Sequence, residues 1–348
     1  MASLIDWDLA ASTAKRLSPP PPPVARDVAD AAVIELRAAA EVAAGHVAQL
    51  TGLNEPPITA LTRVVDRDGW IDANAGGMAT LMGPLIEKLA AGKPSNKLVD
   101  GIGGKVTGAQ AGALLAFMSG KVLGQFEFFA RPEGQLMLVA PNIVDVEDKL
   151  GVDPSDFRLW VCLHEVTHRV QFTAVPWLRQ HLLDEIETLT QMMDTDAAAL
   201  KERLSSALTE LLRAARGQGD GSGVIGALTT PEQRVVVERV TAFMSLVEGH
   251  AEYVMNAVSA DVIPTQKVIE ARFAVRRRKG GNPLDKLMRR LLGLDAKTRQ
   301  YVEGSAFVRE VVQRVGLDGF NAVWAAPANL PSKAEIAAPA QWVGRVHG

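Results

Sequence analysis

A single cysteine, Cys162, among 348 residues rules out an internal disulfide and any cysteine-rich zinc or iron–sulfur site, and points to a reducing, cytoplasmic setting. With 47% hydrophobic and 22% charged residues, the composition is that of a globular protein, neither disordered nor fibrous. Thirty-seven basic against forty acidic residues leave a net charge of −3, so no bulk attraction to nucleic acid or to an anionic membrane is predicted.

Asp6 and Asp8 stand where a secretory leader needs a basic start, so no export signal is expected. The prolines at 19–23 lack backbone donors and fix their own φ, so the run from Ser18 to Pro23 reads as extended and as a boundary. Residues 1–24 are accordingly taken as an extended Pro-rich segment, with 25–348 a single domain. The Ala-, Leu- and Glu-rich stretch behind the prolines carries apolar residues at three-to-four spacing and predicts one long helix ending at Gly52. Two more helices are predicted, over about 70–91 and 107–119, with enough Ala and Gly for close contacts. The apolar stretch between Lys105 and Lys121 is too short for the roughly 20 residues that span a bilayer.

Two runs rich in β-branched and aromatic residues flank Arg131-Pro132-Glu133-Gly134 and predict a hairpin. Asp153-Pro154-Ser155 offers a helix start, and the helix over 157–173 stops before Pro176. A long amphipathic helix is expected from Trp177 to about 215, then a glycine-rich loop at 217–226. Thr230-Pro231-Glu232 opens a helix with an almost unbroken apolar stripe, which must be largely buried. Arg276-Arg277-Arg278-Lys279 reads as a solvated loop; short helices are expected around Leu287 and over 296–315. The fold class is mainly α with a small β-hairpin or sheet.

His164-Glu165-Val166-Thr167-His168 sets two imidazoles four residues apart, on one helix face a turn apart, where they can share one ion. Zn2+ suits such nitrogens, and Glu165 beside the first of them can act as general base toward a water activated by the ion. Glu248-Gly249-His250-Ala251-Glu252 drops polar side chains into the later apolar stripe. Glu248 is the leading third ligand, Glu252 a carboxylate for a histidine's free ring N–H, and His250 a substrate or transition-state donor. A three-histidine set through His250 is the rival assignment. Gly249 is expected to let this helix approach the metal helix closely. Tyr253 and Tyr301 are candidate oxyanion donors.

Cys162 faces about 200° away from His164 and reads as a core residue. Gly101-Ile102-Gly103-Gly104-Lys105 is no phosphate loop, because Val99 and Val106 occupy positions that need a glycine and a hydroxyl.

HEVTHRVQF at 164–172 and EGHAEYVM at 248–255, together with DRDGWIDAN at 66–74, the hairpin ending in VAPNI, GLDAKTRQYVEGSAFV at 293–308 and the stretch at 321–331, resemble the zincin-like metallopeptidase family long carried as a domain of unknown function in actinobacteria. The most similar branch is one associated with biosynthesis of the deazaflavin redox coenzyme. The resemblance implies a zincin-like architecture and hydrolysis of a peptide or amide. Glu248-Gly249-x-Ala251 is similar to the segment that supplies the glutamate ligand in gluzincins, although the spacer after His168 is longer and Leu246-Val247 replaces the polar lead-in. The Gly-x-Met-Glu-Asn stretch of aminopeptidases is not found, so exopeptidase activity is not implied. Three readings follow: a zinc-dependent peptidase, a hydrolase of a non-peptide amide tied to the coenzyme pathway, or a metal-binding interaction protein without turnover.

Overall fold

The computed structural model describes residues 5–56, 61–90, 97–127, 134–192, 229–258, 261–279 and 294–348. In chain order the elements are α1 (Trp7–Leu17), α2 (Arg26–Thr51), β1 (Leu61–Val65), α3 (Arg67–Ala90), α4 (Lys97–Ser119), β2 (Gly124–Glu127), β3 (Gln135–Val139), α5 (Ala140–Leu150) and α6 (Pro154–Ala174). There follow α7 (Trp177–Gln191), α8 (Pro231–Ala257), α9 (Gln266–Lys279), α10 (Leu294–Phe320), two 3-10 turns (Asn321–Trp324 and Pro327–Asn329), α11 (Lys333–Ala337) and α12 (Pro339–His347). Among the described residues the protein is mainly α with one three-stranded sheet. Among the described residues no helix is long and apolar enough to cross a membrane.

The chain forms two compact units, the first comprising Met1–Val175 and Val254–Lys279, the second Pro176–Tyr253 and Gly280–Gly348.

In the first unit the extended reading of residues 1–24 is corrected over Trp7–Leu17, which is helix. Asp6 caps it by accepting from the Leu9 N–H at 2.9 Å, and its small face meets α4 so closely that a Cβ on Gly112 would lie 2.6 Å from the Ala10 carbonyl oxygen. Beyond Leu17 the chain leaves the helix, and the prolines at 19–23 carry no secondary structure. Their carbonyls still accept, and the buried Arg67 Nη1 donates to those of Pro19 (2.6 Å) and Pro20 (2.5 Å), while its Nε donates to Asn142 (2.7 Å). Helix α2 ends where Gly52 turns left-handed at φ 68°. Its alanine-rich face, from Ala32 through Leu36 and Ala40 to Val47, is buried, and α2 packs on α6.

The sheet order is β1-β3-β2, with β3 parallel to β1 (Leu61↔Gln135) and antiparallel to β2 (Gly124↔Leu138). The predicted hairpin is therefore present, its turn residues Arg131, Pro132 and Glu133 lying outside the described residues. β1 lacks the alternation of a half-buried strand, and its partner is a strand about seventy residues away, reached through α3 and α4 as a parallel pair requires. Leu136 to Val139 of the central strand are wholly buried.

Helix α6 opens as predicted. Asp153 accepts from the Asp156 N–H (3.0 Å) and Pro154 takes the first helical position, where a missing N–H costs nothing. Two buried arginines anchor it. Arg158 pairs with Glu147 of α5 and Glu35 of α2; Arg169 grips both oxygens of Glu55 (3.0 and 2.9 Å) and the Thr62 hydroxyl of β1 (2.6 Å). The basic run at Arg276–Lys279 is not a loop: the backbone stays helical to the end of α9.

In the second unit α7 ends at Gln191, and the rest of its predicted course, with the glycine-rich stretch at 217–226, lies outside the described residues, as does the short helix expected around Leu287. Helix α8 opens on a reciprocal cap: Thr230 Oγ1 accepts from the Gln233 N–H (3.2 Å), and Gln233 Oε1 accepts from the Thr230 N–H (2.9 Å). Its apolar stripe is buried from Val236 through Phe243, Leu246 and Val247 to Ala251. Helix α10 crosses it with no side chain between them, since a Cβ on Gly304 would lie 1.8 Å from the Ser245 carbonyl oxygen and one on Gly249 2.1 Å from the Gly304 carbonyl carbon. Gly249 thus faces α10, where the sequence suggested close approach to the metal helix.

Candidate metal centre

The helical period brings His164 and His168 of α6 together: their Nε2 atoms are 3.2 Å apart and the rings meet edge to face at 4.8 Å. Two nitrogens about 2.0–2.1 Å from one tetrahedral ion stand roughly 3.3 Å apart, so the pair already has the separation of two zinc ligands. Gln171, one turn on and wholly buried, places Oε1 3.0 Å from His168 Nδ1. Donation of the Nδ1 proton to that oxygen puts the lone pair on Nε2, the nitrogen that faces His164. The sequence reading did not single out Gln171; the signal available was its i+3 position after a ligand-type histidine.

Glu165 is 8% exposed and lies against the first residue of β2, where Gly124 supplies no side chain. Cys162 is wholly buried in the same helix, with Sγ 3.8 Å from the Leu36 carbonyl oxygen, and burial pushes its thiol far above the ordinary range; it serves neither as ligand nor as nucleophile.

Glu248 is buried on α8 at 5% exposure. Ligand atoms of His164, His168 and Glu248 all lie within 4.8 Å of one another, a group that could hold a metal ion. Two imidazoles and one carboxylate suit zinc, and three protein donors leave a position for water or substrate. His250 is not in that group. Two residues after Glu248 it faces about 200° around the helix, stacked on Phe320 (5.4 Å, 23°) and edge-on to Trp324 (5.2 Å) with no exposed surface. Glu252 and Tyr253 are half-buried in the next turn of α8. Tyr301 belongs to α10, and its side chain lies outside the described residues.

A family model described as zincin-like metallopeptidase matches residues 5–343. The chain is also similar to a solved structure from Chloroflexus aurantiacus presented as a candidate hydrolase with a novel fold, at 31% identity over 99% of both chains and a TM-score of 0.70. No curated protein matches.

Proposed function

Because the chain belongs to the zincin-like metallopeptidase family, we propose that it is a zinc-dependent hydrolase of peptide or amide bonds, with His164, His168 and Glu248 holding the ion and Glu165 as general base. The observation that carries this reading is the grouping of two imidazoles and a carboxylate within 4.8 Å, immediately beside a glutamate in the sequence. Zinc in such a site polarises a carbonyl and eases deprotonation of water. His168 is held by Gln171 in the tautomer that presents Nε2. Glu252, a turn beyond Glu248, is assigned to the free ring N–H of a histidine ligand in the same sense. Glu165 takes a proton from the attacking water and returns it to the departing amine, a role that suits a carboxylate at 8% exposure, shielded from bulk solvent. His250, packed between Phe320 and Trp324, is assigned to shaping α8 behind Glu248. Tyr253 and Tyr301 are the candidate donors to the oxyanion.

The test is Glu165→Gln. The variant should retain one zinc per chain and lose hydrolysis of a peptide library by about 10²–10⁴-fold. Full turnover by the variant, or a wild-type protein that takes up no zinc, would contradict the reading.

A further inference from the structure

Strand β2 reaches the catalytic helix with its first residue. A Cβ on Gly124 would stand 2.6 Å from Cγ, 2.7 Å from Cδ and 3.1 Å from Oε1 of Glu165, so the carboxylate arm lies across the space that any other residue would fill. Non-bonded carbons need about 3.5–4.0 Å. The three crowded atoms belong to the end of one flexible side chain and not to backbone, so a methyl at 124 would be accommodated by swinging Glu165 aside. Resting on the assignment of Glu165 as the base, we infer that Gly124 is a positioning residue, whose bare Cα sets the rotamer from which the carboxylate works.

The strand is held on both faces, which is why the side chain must yield and not the backbone. Phe126, on the same face as Gly124, stacks on Phe172 of α6 at 5.7 Å. On the opposite face, Trp70 Nε1 donates to Gln125 Oε1 (2.9 Å) and Gln125 Nε2 donates to Asn74 Oδ1 (3.0 Å), while Glu127 is buried where a Cβ on Gly77 would lie 3.1 Å from its Oε2. Edge strand and catalytic helix are thus fixed in register by packing that does not involve the base. Displacing a reacting group by about 1 Å can cost on the order of 10²-fold in rate.

The test uses the full-length, zinc-loaded protein as wild type, Gly124→Ala, Glu165→Ala and the double variant. Gly124→Ala should lower the thermal midpoint while Glu165 is present, and leave it unchanged or raise it in Glu165→Ala, where the methyl fills vacated space. Equal shifts in the two backgrounds overturn the inference. On a peptide library Gly124→Ala should lose roughly 10–100-fold in kcat, with KM and bound zinc unchanged. Adding Gly124→Ala to Glu165→Asp, whose carboxylate is one methylene shorter, should cost less than adding it to wild type. Undiminished kcat in Gly124→Ala beside an inactive Glu165→Gln overturns the positioning role and leaves the base assignment standing. Full turnover by Glu165→Gln overturns that assignment, and the positioning role with it.

Discussion

Helices α6 and α8 present their polar groups by different means. In α6 two histidines and the glutamine that orients one of them fall within eight residues of a single helix, so the backbone period alone brings the Nε2 atoms to 3.2 Å. Buried Arg158, ahead of that span, and Arg169, within it, then tie the helix to α2, α5 and β1. From α8, Glu248 is the residue that joins the two histidines. Its helix is placed by a crossing with α10 at Gly249 and Gly304, where backbones touch. One half of the group is written in sequence periodicity and the other in the shape of a helix crossing, which predicts different sensitivities.

The largest effect should come from the anchor of α6. Arg158→Ala strands the buried Glu147 carboxylate without its cation, which should cost about 3–5 kcal/mol in denaturant unfolding. Burial holds the Glu147 carboxyl above its ordinary value even with Arg158 beside it. The sign follows: an acid whose folded pKa is raised destabilises the fold when ionised, and removing Arg158 raises Glu147 further, so the Arg158→Ala penalty should grow as pH rises above the wild-type value toward the variant's higher one and shrink as pH falls back. A penalty independent of pH would place the cost in lost packing.

Next comes the crossing. Gly304→Ala puts a methyl into the Ser245 carbonyl and should cost on the order of 3 kcal/mol. If α8 owes the position of Glu248 to this contact, zinc affinity falls as well, whereas unchanged affinity in a folded variant would separate the crossing from the metal group. Gln171→Ala sharpens the other side of the comparison, with zinc affinity expected to fall by about 10–100-fold and stability to change little, as read by competition with a chelator. The smallest effect is a control. Gly45 in α2 has no atom within 4 Å of its missing Cβ, so Gly45→Ala should stabilise by roughly 0.5–1 kcal/mol and leave metal binding untouched.

The same division explains what the sequence made legible. The helices with strong caps or stops were readable close to their ends: α2 at Gly52, α6 at Asp153-Pro154, α8 at Thr230-Pro231. α1 was not, because its burial rests on backbone approach to α4, and Asp6, its cap, stood out first as evidence against a leader peptide. Strand β1 depends on a partner far along the chain, and no local pattern announces that. In the His164, His168 and Glu248 group, the imidazole pair follows from the helical period and Glu248 from a costly carboxylate in an apolar stripe. Gly124 and Gly304 were invisible, since an absent side chain has meaning only once the atoms that would collide with it are known. Gly249 does permit a close helix approach, and the helix it admits is α10.

The central claim is that His164, His168 and Glu248 bind one zinc ion. An anomalous difference map collected at the zinc edge, from crystals of the zinc-loaded protein, tests it most directly. The account predicts one peak in contact with Nε2 of both histidines and a carboxylate oxygen of Glu248, with Glu165 unligated. A peak bound by His250, or one placed away from the two imidazoles, would contradict it.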